Sequence, residues 1–491
     1  MKKSMKLLTI GMILTLCAGF AACGGGSSSS SSSSSTPSGS TSTSTSTSSS
    51  TPELTQLSAP QHFEFYSEDN GKLMGLGYIL EWEEVENATG YELRVNEQTL
   101  SSEEARFDLI HQVTVGQESE IWVKAKGNGT TYADSEEVTY TVTPKRADYG
   151  FSYEYDSELG GYLVSRGESM KTDIAFADRT HGNPIIGVAR QGFDKEYTGV
   201  DVTSVTFSPS MKMICSTAFC YTSLSSVVIP GTVEEIDTAF SLCAQLREIT
   251  FEEGVKRING TFHGTALESV FIPASVEEMK GFAFGVETIK SITVSKDNPY
   301  YTSIDGNLYS KDGKTFLCYA GGKEEKEFTV PETVTAVGSA AFSYCPYLEK
   351  VTLHDGITKI QEEETARMFF YFCPRLTTII LSNALTQIKG LLSSGHNVKH
   401  IDYHEGITYL GSNTFSELES AVIPKSIQSI EGRVEEGMIF YYKVTATDWE
   451  KVETLSSIKR NAVVYFYSED EPEGEGNFWH YNSEGEIEVW K

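Results

Sequence analysis

No two cysteines of this chain are separated by two residues, so the Cys-x-x-Cys element of a zinc site is missing. Positive charge is in short supply. The 39 lysines and arginines stand against 68 acidic residues, for a formal net charge of -29. Such a surface repels nucleic acid and anionic lipid, which excludes both as partners. Long apolar runs are also missing. Only Leu7 to Ala22 forms a long, mainly apolar stretch, and it is shorter than the roughly 20 residues of a membrane-crossing helix. No Gly-x-Ser-x-Gly, His-Glu-x-x-His or Gly-x-Gly-x-x-Gly occurs. Gly313, Lys314 and Thr315 end like a phosphate-binding loop, but Leu308 stands where its first glycine is required. Paired carboxylates are too common in so acidic a chain to mark a site. The expectation is a protein without catalytic residues, metal or cofactor.

What is present begins with an address. Three lysines within the first six residues precede the apolar stretch, the layout of a secretory signal peptide over residues 1–22. The end of that stretch, Phe20, Ala21, Ala22 and Cys23, resembles the lipobox of bacterial lipoproteins, with phenylalanine where leucine is usual. The resemblance implies lipidation of Cys23 and a place on the extracellular face of a bacterial membrane, or secretion if Cys23 is not lipidated. Residues 23–56 are almost all Gly, Ser and Thr, too poor in apolar area to offset chain entropy, and read as a disordered spacer.

Residues 57–145 change to short alternating strands separated by Gly and Asn turns, the pattern of a β-sandwich. Trp82, the run Ala88 to Tyr91 and the run Tyr132 to Ser135 resemble a fibronectin type III domain. Trp82 and Trp122 read as core residues, because aromatics dominate cores, with sugar stacking as the other reading.

From residue 201 to 440 the chain repeats itself. Leu224, Val227, Ile229, Pro230, Val233, Ile236, Ala239, Phe240 and Cys243 align with Leu267, Val270, Ile272, Pro273, Val276, Met279, Ala283 and Phe284. They align again with Phe328, Val330, Pro331, Val334, Val337, Ala341, Phe342 and Cys345. Copies starting at 202, 224, 246, 267 and 289 are 22, 22, 21 and 22 residues apart. A period of this size predicts a solenoid whose coils bury their apolar faces only against one another. Pro230, Pro273, Pro331 and Pro424 should end a strand at one fixed corner.

These residues resemble the BspA-type leucine-rich repeat. The fold expected is therefore mainly β: a leucine-rich-repeat solenoid preceded by a fibronectin type III-like β-sandwich. Residues 149–200 resemble the family's N-terminal lead-in, 294–314 its characteristic insertion, and 441–491 a C-terminal cap that alternates like a hairpin sheet. The resemblance implies a non-enzymatic cell-surface protein that binds or adheres to a host or microbial surface protein. A carbohydrate-binding lipoprotein is the alternative, with a glycan as partner. A monomer is expected, attached to membrane only through its lipid. Gln361 to Met368 adds residues to one copy, and Gly390 to Asn397 lacks the Ala-Phe pair; both irregularities could offer specific contacts.

Several clusters have bland readings. Cys220, Cys243, Cys345 and Cys373 follow the repeat phenylalanine and read as buried core thiols. Cys215 and Cys220 form the bridge to consider if any exists. His396, His400 and His404 recur every four residues, but repeat register places His400 on a strand and the others in turns. Asp297, Asp305 and Asp312 read as turn residues, because Asp-Gly is a hairpin dipeptide. In the pattern Leu-x-x-Val-x-Ile the third and fifth positions point outward. They compose a row of hydroxyl and scattered apolar side chains, from Ser226 and Val228 to Ser420 and Val422. Phe271, Ile380, His400 and Asp402 on that row are the candidate binding residues.

Overall fold

The computed structural model describes residues 53–490, except 70–75, 170, 261, 281–282 and 361–368. Cys23, the signal peptide, most of the spacer and the residues added between Gln361 and Met368 lie outside the described part.

Four antiparallel strands, Gln98–Ser102, Tyr91–Val95, Ser119–Ala125 and Val138–Val142, make one sheet in that spatial order. A second set, Glu64–Asp69, Leu76–Glu81 and Arg106–Asp108, pairs beside it. Both contribute to one core that includes Leu80, Trp82, Leu93, Ile121 and Val123. Trp82 is buried and meets Tyr91 edge-on at 5.1 Å. Trp122 departs from the expected core position. It is 37% exposed, because it occupies an outward site of its alternating strand, where the Arg94 guanidinium lies 4.9 Å from its ring.

Short stacked coils follow, each crossing two parallel ladders. One ladder runs in two-stranded pieces, Ser226–Ile229 with Glu248–Phe251 and Ser269–Ile272 with Ser291–Val294. The other runs through Met213–Ile214, Glu235–Asp237, Arg257–Asn259 and Glu278–Lys280. Alternation within each strand decides what is buried: Val227 and Ile229 point in while Ser226 and Val228 point out. Three of the prolines, Pro230, Pro273 and Pro424, come immediately after a strand of the first ladder. At that corner Gly231 and Gly254 of neighbouring coils touch through their backbones. A Cβ on Gly231 would lie 1.8 Å from the Glu253 carbonyl oxygen.

Between the ladders the repeat phenylalanines form a column. Phe193, Phe219, Phe240, Phe262 and Phe284 follow one another at 5.5, 5.5, 6.1 and 5.7 Å, with ring planes within 12°. The thiols stand beside it. All six described cysteines are free, five of them buried. Cys243 donates its S–H to the Phe219 carbonyl at 3.0 Å, and Cys373 to that of Phe342 at 2.9 Å. In both cases the thiol satisfies a carbonyl on the preceding coil.

The insertion is a hairpin, Tyr301–Ile304 with Asn307–Ser310. Asp305 and Gly306 form its two-residue tip, at φ 49° and 73°, as the Asp-Gly dipeptide predicts. The hairpin divides the solenoid core into two stretches, one ending at Ala320 and one beginning at Tyr309. Where the Ala-Phe pair is missing, Leu391 and Leu392 are fully buried in its place.

The parallel ladder does not stop at residue 440. Ile439–Tyr442 pairs with Ser420–Ile423, Val463–Tyr467 pairs with Ile439–Tyr442, and Phe478–Tyr481 continues in parallel. Only Ile487–Val489 turns back antiparallel. The expected hairpin sheet is thus limited to the last two strands, because Phe440, Tyr442, Val464 and Phe466 keep the inward register of the repeats. No helix among the described residues is long and apolar enough to cross a membrane.

Candidate functional site

The outward row of the first ladder is set by cross-strand register. Val228 stands beside Thr250, Phe271 beside Thr293, and Ile380 beside Thr352. Val228, Phe271 and Ile380 are 54%, 53% and 44% exposed, so solvent-facing apolar side chains alternate with threonines. Neighbouring strands lie about 4.8 Å apart, so such a row offers regularly spaced contacts. Phe271 and Ile380 are not brought together, since the hairpin insertion stands between their coils.

His400 and Asp402 do meet. The imidazole Nε2 lies 2.9 Å from an Asp402 oxygen, and Nδ1 lies 2.7 Å from Ser420 Oγ on the next coil. A carboxylate only accepts, so Nε2 carries the proton and Nδ1 accepts from the serine hydroxyl. The order Ser420, His400, Asp402 resembles a hydrolase relay. The Ser420 N–H, which would have to stabilise an oxyanion, instead donates to the Lys399 carbonyl at 3.1 Å. The chain of bonds therefore holds the imidazole in place and presents Asp402 to solvent.

Val422, expected to face outward, is fully buried. Its outward neighbour in the next coil is Tyr441, which lies among aromatic rings that the repeat pattern did not signal. Tyr441 sits 5.7 Å from Tyr465 and 5.5 Å from Trp479, and Trp479 sits 5.2 Å from Tyr467 and 5.0 Å from Tyr481. Trp479 lies fully buried across the sheet and donates its indole N–H to the Tyr442 carbonyl at 3.1 Å. The signal available in the sequence was the alternation of Tyr441, Tyr465 and Tyr467 with inward aromatics.

The three histidines at four-residue spacing do not converge. His396 is buried with Nδ1 accepting from the Val398 N–H, His400 is on its strand, and His404 bonds the Glu405 carbonyl. Among the described residues, no three His, Cys, Asp or Glu side chains are grouped so as to hold a metal ion. Asp305 and Asp312 serve turns, Asp312 accepting from Ser310 Oγ and the Lys314 N–H.

A second row lies along the edge between the ladders. Tyr221, Leu242, Tyr344, Phe372 and Glu417 each stand two residues after the repeat aromatic, and each has a φ of 55–62°. The positive φ turns the backbone N–H toward the next coil. Leu242 thereby donates to the His263 carbonyl at 2.6 Å and Tyr344 to that of Tyr371 at 2.7 Å. Inter-coil hydrogen bonding accounts for this strained conformation.

The family model for the BspA type leucine rich repeat region matches residues 194–312 and 317–443, in six copies. Among curated proteins none matches the chain. Among solved structures, a leucine rich cell surface protein from Faecalibacterium prausnitzii A2-165 is 23% identical, with a TM-score of 0.42; the alignment covers 63% of this chain and 98% of that one. The pneumococcal vaccine antigen PcpA is 18% identical, with a TM-score of 0.45, over 65% and 98% of the two chains. A leucine-rich repeat protein from Eubacterium ventriosum ATCC 27560 is 18% identical, with a TM-score of 0.44, over 64% and 87%. With the repeat matched across half its length, and each matched coil stacked on the last, the chain belongs to the BspA-type leucine-rich-repeat family.

Proposed function

We propose that this protein is a non-enzymatic adhesin, lipid-anchored through Cys23 on the extracellular face of a bacterial membrane, whose solenoid binds a host or microbial surface protein. The observation that carries this reading is the first ladder's outward row. It sets Val228, Phe271 and Ile380 into solvent among threonines, each on a strand hydrogen-bonded to a neighbouring coil. Apolar groups held rigid in the unbound state lose little entropy on association. The lipobox-like run ending at Cys23 supports the anchor, and the Gly/Ser/Thr-rich stretch supports a stand-off from the membrane.

We read residues 57–145 as a fibronectin type III-like spacer. Its strand order and shared core support this. The spacer is fixed to the solenoid. The Asp178 carboxylate accepts from the Ser67 N–H and hydroxyl, both at 2.8 Å, and Tyr153 donates to Asp69 at 2.7 Å. Such a joint orients the solenoid instead of letting it swing.

The test is capture of surface proteins from intact host cells by the full chain. Joint replacement of Phe271, Ile380, His400 and Asp402 by alanine should lower capture at least about tenfold, the loss of a little over 1 kcal/mol. Undiminished capture would remove the outer row from the binding site.

A further inference from the structure

The second ladder carries a cleft on its outer side, near the C-terminal end. Its volume is about 720 Å³. Ligand pockets commonly enclose about 300–1,000 Å³. The floor is made by Gln387, Tyr409, Ser429 and Glu453, successive partners in one parallel sheet. The segment after Tyr442, with the short helix Ala446–Trp449, forms the wall and contributes Asp448.

Tyr442 is the informative residue. It starts from the first ladder, crosses the core and reaches the cleft from beneath. It is only 2% exposed, and its ring packs edge-on against Trp449 at 5.2 Å. Its hydroxyl has no hydrogen-bond partner among the described residues. The hydroxyl oxygen itself is not sealed from solvent, so it can meet a molecule in the cleft. Burial, followed by the charges of Asp448 and Glu405, raises its pKa, so it stays a donor at neutral pH. The side-chain amides of Gln387 and Gln428 and the hydroxyl of Ser429 also border the cleft, without hydrogen-bond partners among the described residues.

We propose that this cleft binds a sugar ring of an uncharged glycan, with hydrogen bonds from Tyr442, Gln387, Gln428 and Ser429 beside the Tyr409 ring. The chemistry of the lining favours this occupant over a peptide. Two lysines, Lys425 and Lys451, balance two carboxylates, Asp448 and Glu453, so no net charge is on offer. The floor strands pair with one another, so a peptide finds no open strand edge within the floor. Amides and hydroxyls that both donate and accept suit a ring bearing hydroxyls on every side. The cleft lies on the opposite ladder from the outer row, and this inference stands whether or not that row binds a protein.

The test presents the full chain with chitotriose, maltotriose, lactose and N-acetyllactosamine, read by saturation-transfer NMR and titration calorimetry. At least one sugar should bind. Tyr442→Phe and Gln428→Ala should each weaken it about fivefold, the worth of one hydrogen bond. Tyr442→Phe removes an unpartnered hydroxyl and should leave the thermal midpoint unchanged, which separates loss of binding from loss of fold. Absence of transfer from every sugar would overturn the proposal, as would binding that neither variant moves. Equally, a bound peptide that protects the cleft, with no sugar bound, would overturn it.

Discussion

Phe240 is the place to test whether the stacked column holds this molecule together. Its ring is fully buried between Phe219 at 5.5 Å and Phe262 at 6.1 Å, with planes within 4° of both. Truncation to alanine removes apolar area and leaves a cavity that the flanking ladders cannot close without breaking register. Phe→Ala changes in cores cost about 3–5 kcal/mol. Two lost ring contacts place this site toward the upper end. Folded domains are stable by about 5–15 kcal/mol, so the change is severe. In a solenoid the loss falls on the two adjoining interfaces. Urea unfolding followed by circular dichroism should therefore show an early transition for the core stretch that ends at Ala320, ahead of the stretch that begins at Tyr309. The control is Phe271→Ala, two coils further on but outward and 53% exposed, which should stay within about 0.5 kcal/mol of the parent. Equal costs at the two sites, or a larger cost at Phe271, would refute the assignment of inward and outward faces.

The six described cysteines should all alkylate in denaturant without prior reduction, as mapped by mass spectrometry; any residue protected as a disulfide contradicts the free-thiol core. In the folded protein they should react slowly even at mildly alkaline pH, since burial raises Cys215 to about 11 and Cys220 to about 12. Stability should also fall as pH drops through the ordinary histidine value of 6.5, because burial lowers the pKa of His263 and His396 and the unfolded chain takes up those protons first. Asp134 and Asp173, lowered by hydrogen bonds from Lys126 and Ser204, lose their contribution only at more acidic pH. Joint replacement of His263 and His396 by glutamine should flatten the first decline in a thermal-melt series, and an unchanged slope would show that other groups drive it.

What could be read from the sequence was whatever one coil dictates to the next. Val227, Ile229 and Phe240 had to face inward because alternation and a fixed period leave them no other partner, and Pro230 and the Asp305-Gly306 tip follow from backbone geometry alone. His400 and Asp402 share a side by strand alternation, and Ser420 joins them by one repeat step. Burial of Val422 was illegible, because it depends on aromatic residues of later coils such as Tyr441. Tyr442 was equally hidden, since an inward position in the repeat gives no sign that its hydroxyl emerges in a cleft on the other side.

Hydrogen bonding and core packing repeat from coil to coil, and they constrain the inward residues and the corner positions. Exposed outward side chains such as Val228, Phe271 and Ile380 are outside the packed core, so they are free to differ along the stack at little cost in stability. They do differ. Before the hairpin insertion the outer row offers Val228, Thr250, Phe271 and Thr293, while after it the row passes through Ile380 and Asp402 to Tyr441 and Tyr465. Since the hairpin also divides the core, a partner that lies along the whole row bridges two packed blocks and should couple their unfolding. A partner confined to one block should raise the stability of that block alone. The unfolding transitions of the bound protein thus locate the partner without a structure of the complex.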